Sequence, residues 1–269
     1  MSQPICLADL FVDAWPTIFA MDLSRYLVAA SVLALTLALL AGAIGHRRIQ
    51  SRRASSNDIR REITFSISTT LVFSLVGFGV YAGSQTGVFR IYGGELPGAS
   101  RMLLEFVGLV LMHDAYFYWA HRMMHTRSLF RWVHRLHHKS RTPTPWAAYA
   151  FAPPEALLEA GILPLAGLLM PVHELTVLMF LTHMIMRNVI GHAGVELFPA
   201  WWLRVPLLCT ITTTTHHDLH HSHGGYNFGL YFTWWDRWMK TEHPSYADCF
   251  KTVTQYTHPI IFPRKENVE

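Results

Sequence analysis

Residues 101–125 read RMLLEFVGLVLMHDAYFYWAHRMMH, a run that begins apolar enough for a lipid bilayer and ends in two histidines four positions apart. A helix carried through it delivers His121 and His125 to one face, about 40° apart, at the end of a membrane-spanning segment. Asp114, seven residues before His121, falls within roughly 20° of the same stripe, where a carboxylate can orient a ligand histidine through its second ring N–H or bind metal itself. His113 projects elsewhere.

Two later stretches repeat the theme. HRLHH at 134–138 and HHDLHH at 216–221 each contain H-x-x-H-H, and on a helix positions i, i+3 and i+4 share a face, so each box can offer up to three neutral imidazoles. Between them, NVIGH at 188–192 sets Asn188 one turn before His192, a candidate ligand with a neighbour placed to support it. The candidate ligands are therefore His121, His125, His134, His137, His138, His192, His217, His220 and His221, with Asp114, Asn188 and His216 as supporting residues around them.

The chain holds 17 histidines among 269 residues, of which only 15% are charged. Isolated ones such as His173, His183, His243 and His258 read as hydrogen-bonded core or interfacial side chains. The boxes resist that reading, because every buried imidazole demands a partner. The H-E-x-x-H of zinc proteases is not present, since the first box reads H-R-M-M-H and supplies no general base. Eight or more histidines exceed the three or four ligands of a zinc site and suit two metals, for which two irons are the natural candidates.

Working outward, the composition is 51% hydrophobic with a mean hydropathy of +0.21, which favours residence in a membrane over a soluble domain. Residues 26–45, YLVAASVLALTLALLAGAIG, carry no charge and are long enough to cross a hydrocarbon core of about 30 Å. A cleaved signal peptide is a poorer fit: the run is too long, lies too far in, and follows Asp9, Asp13 and Asp22 rather than a basic start. Arg47, Arg48, Arg52, Arg53, Arg60 and Arg61 come next, so this loop is cytoplasmic by the positive-inside rule and the N-terminus lies outside.

A second span near residues 63–82 returns outward, 83–98 form an outer loop, and the third helix runs inward to a basic stretch at 122–141. Residues 155–171 and 174–191 form a helical hairpin interrupted by Pro171, with one limb tilted or incompletely spanning. The expected fold is all-α: a polytopic membrane bundle of about four to five hydrophobic helices with a cytoplasmic, histidine-rich cap holding a di-metal centre. Its parts are N-terminal membrane helices and outer loop (1–99), a catalytic unit (100–242) and a cytoplasmic tail (243–269). All the histidine boxes then share one side of the membrane and can meet.

The net charge of +4 is explained by that topology, which argues against nucleic-acid binding. Cys6, Cys209 and Cys249 are odd in number and form no C-x-x-C, so they suggest packing rather than a disulfide framework or a thiolate zinc site.

HDAYFYWAHRMMH (113–125), HRLHH (134–138), NVIGHAG (188–194), HHDLHH (216–221) and NFGLYFTWWDRWMKT (227–241) together resemble the fatty acid hydroxylase/sterol desaturase superfamily of integral-membrane, non-haem di-iron oxygenases. The resemblance spans roughly residues 100 to 242 and looks closest to the sterol desaturase branch. It implies that the nine histidines named above are iron ligands. It also implies a lipid substrate, O2 as co-substrate, and electrons from a separate reductase or ferredoxin, since no cytochrome b5-like or flavin domain fits within these residues. Asn188 stands where some fatty-acid hydroxylases of the superfamily have a further histidine, and Lys240 where relatives often carry glycine.

In the last of these motifs, Asp236 beside Arg237, amid Trp234, Trp235 and Trp238, is read as structural, pinning the cap to the histidine helices by a charged pair and aromatic burial. The expected function is hydroxylation or desaturation of a C–H bond in a sterol-like lipid. A carotenoid or fatty-acyl hydroxylase is the alternative within enzymes. A histidine-based membrane metal transporter is the alternative outside them, against which stands the position of the boxes at the inner ends of spans rather than at mid-membrane.

Overall fold

The computed structural model describes residues 6–255 and is mostly helical. The principal helices are α1 (Leu7–Leu39), α2 (Ser56–Gln85), α3 (Ala99–Met124), α4 (Pro153–Ala160), α5 (Ile162–Leu169), α6 (Glu174–Gly191), α7 (Thr214–His223), α8 (Trp234–Trp238) and α9 (Tyr246–Gln255). Two two-residue strands, β1 (Ile91–Tyr92) and β2 (Val172–His173), pair in parallel with Ile91 opposite Val172.

Among the described residues, α1 and α2 are the two helices long and apolar enough to cross a membrane. They run antiparallel: Phe11 meets Phe78 edge-on at 5.0 Å, Trp15 Nε1 donates to Ser74 Oγ at 3.1 Å, and Tyr26 lies level with Ser66, both donating to the Trp146 carbonyl. The start of α2 is set by a capping box, in which Ser55 Oγ accepts from the Asp58 amide and Asp58 accepts from the Ser55 amide.

The first span differs from the sequence expectation of 26–45. Its helix begins at Leu7 and ends at Leu39, because the acidic residues before Tyr26 do not stop it. Asp22 pairs with Arg25 one turn on, inside the helix. The third helix and the hairpin match more closely, since α3 covers 99–124 and α6 covers 174–191. The first limb of the hairpin is broken into α4 and α5 at Gly161, where a side chain would collide with the Tyr116 hydroxyl.

Glu105 on α3 fixes the far end of the bundle. Its carboxylate accepts from Tyr92 Oη at 2.7 Å, Arg101 Nε at 3.1 Å, the His173 amide at 3.0 Å and Thr176 Oγ1 at 3.1 Å, tying the strand pair and the start of α6 to α3. At the opposite end, the arginine-rich loop between α1 and α2 meets the segment that follows α6. Ile49 N donates to Gly194 O at 3.2 Å, Glu196 N to Arg47 O at 3.0 Å, and Gln50 Nε2 reaches both the Arg141 carbonyl and Asp218 at 2.8 Å. The arginine-rich loop and the histidine-bearing segments therefore share one end of the molecule.

Tyr26, Ala30, Tyr149, Phe151 and Ile185 form a core between α1, α6 and the turn at 145–149. Tyr26 is fully buried and contributes both ring packing and its bond to Trp146 O. Replacing Tyr26 by Phe is expected to lower stability by about 1 kcal/mol, and by Ala about 3–5 kcal/mol, measured as thermal unfolding of the detergent-solubilised protein by circular dichroism.

Candidate metal centre

The histidines arrive from four segments. His121 is in the last turn of α3 and His125 is its C-cap. His192 caps the C-terminus of α6, and His217, His220 and His221 lie on α7. The second box departs from the α-helix expected for it: Phe130–His134 is a single π-turn and His137–Lys139 a 3-10 turn.

These nine imidazoles form two sets, each with its nitrogens within 4.8 Å of one another: His121, His125, His134, His138 and His220 in one, and His137, His192, His217 and His221 in the other. Both H-x-x-H-H boxes are thus divided. On α7, residues i and i+4 sit about 40° apart and serve the same set, while i+3 lies about 60° to the other side. His217 and His221 therefore join one set while His220 crosses to the other. In the second box His134 and His138 stay together and His137 crosses in the opposite sense.

Within the first set, His138 Nε2 lies 3.1 Å from His125 Nε2, 3.1 Å from His134 Nε2 and 3.0 Å from His220 Nε2. In the second, His192 Nε2 is 3.3 Å from His137 Nε2 and 3.1 Å from both His217 and His221 Nε2. The outer nitrogens fix four of the tautomers. Carbonyl oxygens only accept, so Nδ1 donates from His121 to Phe228 O at 2.9 Å, from His192 to Asn188 O at 2.8 Å and from His220 to Tyr226 O at 2.7 Å. His134 Nδ1 likewise meets Glu155 Oε1 at 2.7 Å.

A neutral ring that donates from Nδ1 has a bare lone pair on Nε2. These lone pairs converge, so the short N–N approaches cannot all be hydrogen bonds, and a cation between them resolves the repulsion. Separations of 3.0–3.3 Å match the spacing of imidazoles bound about 2.1 Å from a shared ion. Burial, reinforced by neighbouring imidazoles, holds His134, His137, His217, His220 and His221 neutral far below the ordinary histidine range. Neutral imidazole is the metal-binding form. The donor sets therefore fit two transition-metal ions.

The expected supporting residues are distributed differently. Asp114 does not reach an imidazole: its carboxylate accepts from the Tyr231 and Phe232 amides at 3.2 Å each and from Trp234 Nε1 at 2.6 Å. Seven residues of helix place it about 10 Å along the axis from His121, too far for contact despite the shared stripe. Asn188 supports His192 through its backbone carbonyl.

His216 points away from both sets, with Nε2 3.5 Å from Asp236 Oδ2 and its ring edge-on to Tyr246. Asp236 and Arg237 do not form the expected charged pair. Asp236 accepts from the Phe228 and Gly229 amides at 2.9 Å and from Thr241 Oγ1 at 2.8 Å, while Arg237 holds Glu242 and the Cys209 carbonyl. The expected aromatic burial is met only in part: half-buried Trp235 stacks on Tyr118 of α3, while Trp238 is exposed. Of the isolated histidines, His173 caps α6, His243 Nδ1 accepts from the Ser245 amide at 3.2 Å and His183 packs against Phe106 and Tyr231, while His258 lies outside the described residues; His113, likewise apart from the sets, bonds Tyr231 Oη at 2.9 Å.

Sequence reasoning missed Glu155 and the Phe228 and Tyr226 carbonyls. Only Glu155 left a trace, as one of two carboxyls, with Glu159, in a largely apolar stretch.

A cavity of about 330 Å³, lined mostly by apolar side chains of α1, α2, α3 and α6, approaches the two sets from the bundle side. Its wall includes Phe117, whose ring is 5.1 Å from His121, and Phe151, 5.1 Å from His137. Its far end is bounded by Gln85, Tyr92, Gly93 and Glu174.

A family model described as fatty acid hydroxylase matches residues 106–241. Lathosterol oxidase of Homo sapiens is 27% identical over 197 residues, 71% of this chain and 64% of that protein. A Delta(7)-sterol 5(6)-desaturase of Gibberella zeae is 27% identical over 212 residues, 78% of this chain and 64% of its own length. The Delta(7)-sterol 5(6)-desaturase of Saccharomyces cerevisiae is 25% identical over 232 residues, 84% of this chain and 59% of its own. The chain spans about two thirds or less of the length of these three relatives. No solved structure matches it significantly. The matched segment is just over half of the 269 residues and contains all nine clustered histidines: the chain belongs to the fatty acid hydroxylase family, within the fatty acid hydroxylase/sterol desaturase superfamily.

Proposed function

We propose that this chain is a membrane-bound oxidoreductase that uses O2, and electrons delivered by a separate reductase or ferredoxin, to hydroxylate or desaturate a C–H bond of a sterol-like lipid. The observation that carries this reading is the approach of one mostly apolar cavity to two largely buried all-histidine donor sets, with the Phe117 and Phe151 rings, each 5.1 Å from a clustered imidazole, forming the wall between them. Two iron ions, when bound, supply the oxygen activation and hydrogen abstraction that no side chain here can perform. One is held by His121, His125, His134, His138 and His220, the other by His137, His192, His217 and His221.

The protein contributes position and dryness. Phe117, Phe151 and Leu230 line the cavity beside the imidazoles and keep bulk water from the reacting carbon. Glu155, Asn188 O, Tyr226 O and Phe228 O hold four rings by their outer nitrogens, as second partners do in histidine metal sites. Asp114 and Asp236 clamp the 228–234 loop from both ends, and that loop carries the carbonyl that orients His121.

The membrane placement extends beyond α1 and α2. Leu103, Leu104 and Leu111 on α3, Leu168 and Leu169 on α5, and Met179 and Met186 on α6 are exposed apolar residues suited to lipid. In this reading α3 and the α4–α6 hairpin complete a bundle of four to five membrane helices. The arginine-rich end is cytoplasmic, the N-terminus lies outside, and residues 192–255 cap the metal centre on the inner side. Residues 100–242 form the catalytic unit, 1–99 the N-terminal membrane part and 243–269 the tail. Substrate enters laterally from lipid, and reductant from the aqueous face.

Purified protein reconstituted with iron is expected to hold about two irons per chain. After anaerobic reduction and exposure to isotopically labelled O2 with a sterol-containing lipid extract, it should yield an oxygen-dependent product by mass spectrometry. Iron-loaded protein that consumes reductant without altering any lipid defeats the assignment. His137→Ala and His220→Ala, one from each set, should each abolish turnover and lower iron content while leaving membrane insertion intact. Asp236→Ala leaves two buried amides unpaired and should lower stability by about 3 kcal/mol. It should also weaken metal retention against a chelator, followed as iron release.

A further inference from the structure

Glu159 lies one turn along α4 from Glu155, whose carboxylate holds His134. Glu159 as a residue is 8% exposed and borders the cavity, and its carboxyl has no hydrogen-bond or ion-pair partner among the described residues. Burying an unpartnered carboxyl is costly, and an ionisable group kept inside a membrane bundle marks a ligand path. The rest of the wall says what kind of ligand fits. Among the described residues lining the cavity, Arg25 is the sole lysine or arginine, and Asp22 already holds it. Asp22, Glu159 and Glu174 are all acids. An anionic head group entering here meets acids with no free counter-charge, whereas a hydroxyl can donate to Glu159 and, when that carboxyl carries its proton, accept from it as well.

We propose that Glu159 is the polar anchor of the substrate cavity, hydrogen-bonding the hydroxyl of a neutral lipid alcohol one helical turn from the Glu155 that holds His134, and that the cavity rejects lipids with an anionic head. The inference rests on the cavity being the substrate site of the function proposed above, and it names the substrate feature that this site recognises. A site built to bond a hydroxyl discriminates strongly against the analogue that lacks it. A carboxamide retains both hydrogen-bonding functions of the carboxyl, and leucine retains the bulk without either.

The test is equilibrium binding of tritiated cholesterol and of 5-cholestene, its analogue without the hydroxyl, to the full chain loaded with iron, with palmitate as a competing anionic lipid. The wild-type protein should prefer cholesterol by about tenfold or more. Glu159→Gln should keep most of that preference and Glu159→Leu should remove it, with palmitate displacing cholesterol poorly throughout. Equal retention of the two sterols by the wild type, a preference that survives Glu159→Leu, or displacement by palmitate as effective as by unlabelled cholesterol would overturn the proposal. A preference that depends on Glu159 without any oxygen-dependent product supports the anchor and defeats the oxidoreductase reading, so the two fail separately.

Discussion

Bringing nine imidazoles into two buried sets is the constraint around which the rest of this protein is arranged. Four of the rings are committed by their outer nitrogens to acceptors, which leaves the inner nitrogens of His121 and His134 as lone pairs facing each other at 3.1 Å and those of His220 and His192 as lone pairs turned into their own sets. Such an arrangement is repulsive unless positive charge lies between the lone pairs. Every nearby contact then has a job: the carbonyls and Glu155 aim the rings, Asp114 and Asp236 fix the loop that carries one of those carbonyls, and the bundle keeps water out. Metal and polypeptide stabilise each other, as in other sites where binding free energy becomes folding free energy.

The histidine boxes were legible because helical spacing alone places i and i+4 together, and all nine expected residues do converge. What spacing could not show is how the boxes divide, since the angular offset of the i+3 residue has meaning only once a second set exists to receive it. Asp114 illustrates the opposite limit: a shared stripe is an angular statement, and two turns of axial rise separate residues that a helical wheel superimposes. Glu155 comes from a different helix, so no local spacing ties it to His134.

The membrane boundaries were blurred at the first span, where an ion pair within the helix lets it run past charges that read as a stop. Lys240 is a smaller case. Expected where relatives carry glycine, it adopts a φ of 57°, in the left-handed region that glycine occupies without strain. The change is confined to an exposed turn after α8. Which imidazoles gather could therefore be read from the boxes, whereas the partners that individual polar side chains take, such as Glu155 for His134 or the Tyr231 and Phe232 amides for Asp114, could not.

The division of each H-x-x-H-H box between the two sets has a consequence for how the centre assembles. A one-residue insertion anywhere between His134 and His138, or between His217 and His221, rotates donors out of both sets at once. Neither ion site is a separable module that could be acquired, lost or rebuilt alone. The pair forms a single unit knitted from interleaved stretches of sequence, so an ion held in one set would also fix the backbone turns that present ligands to the other.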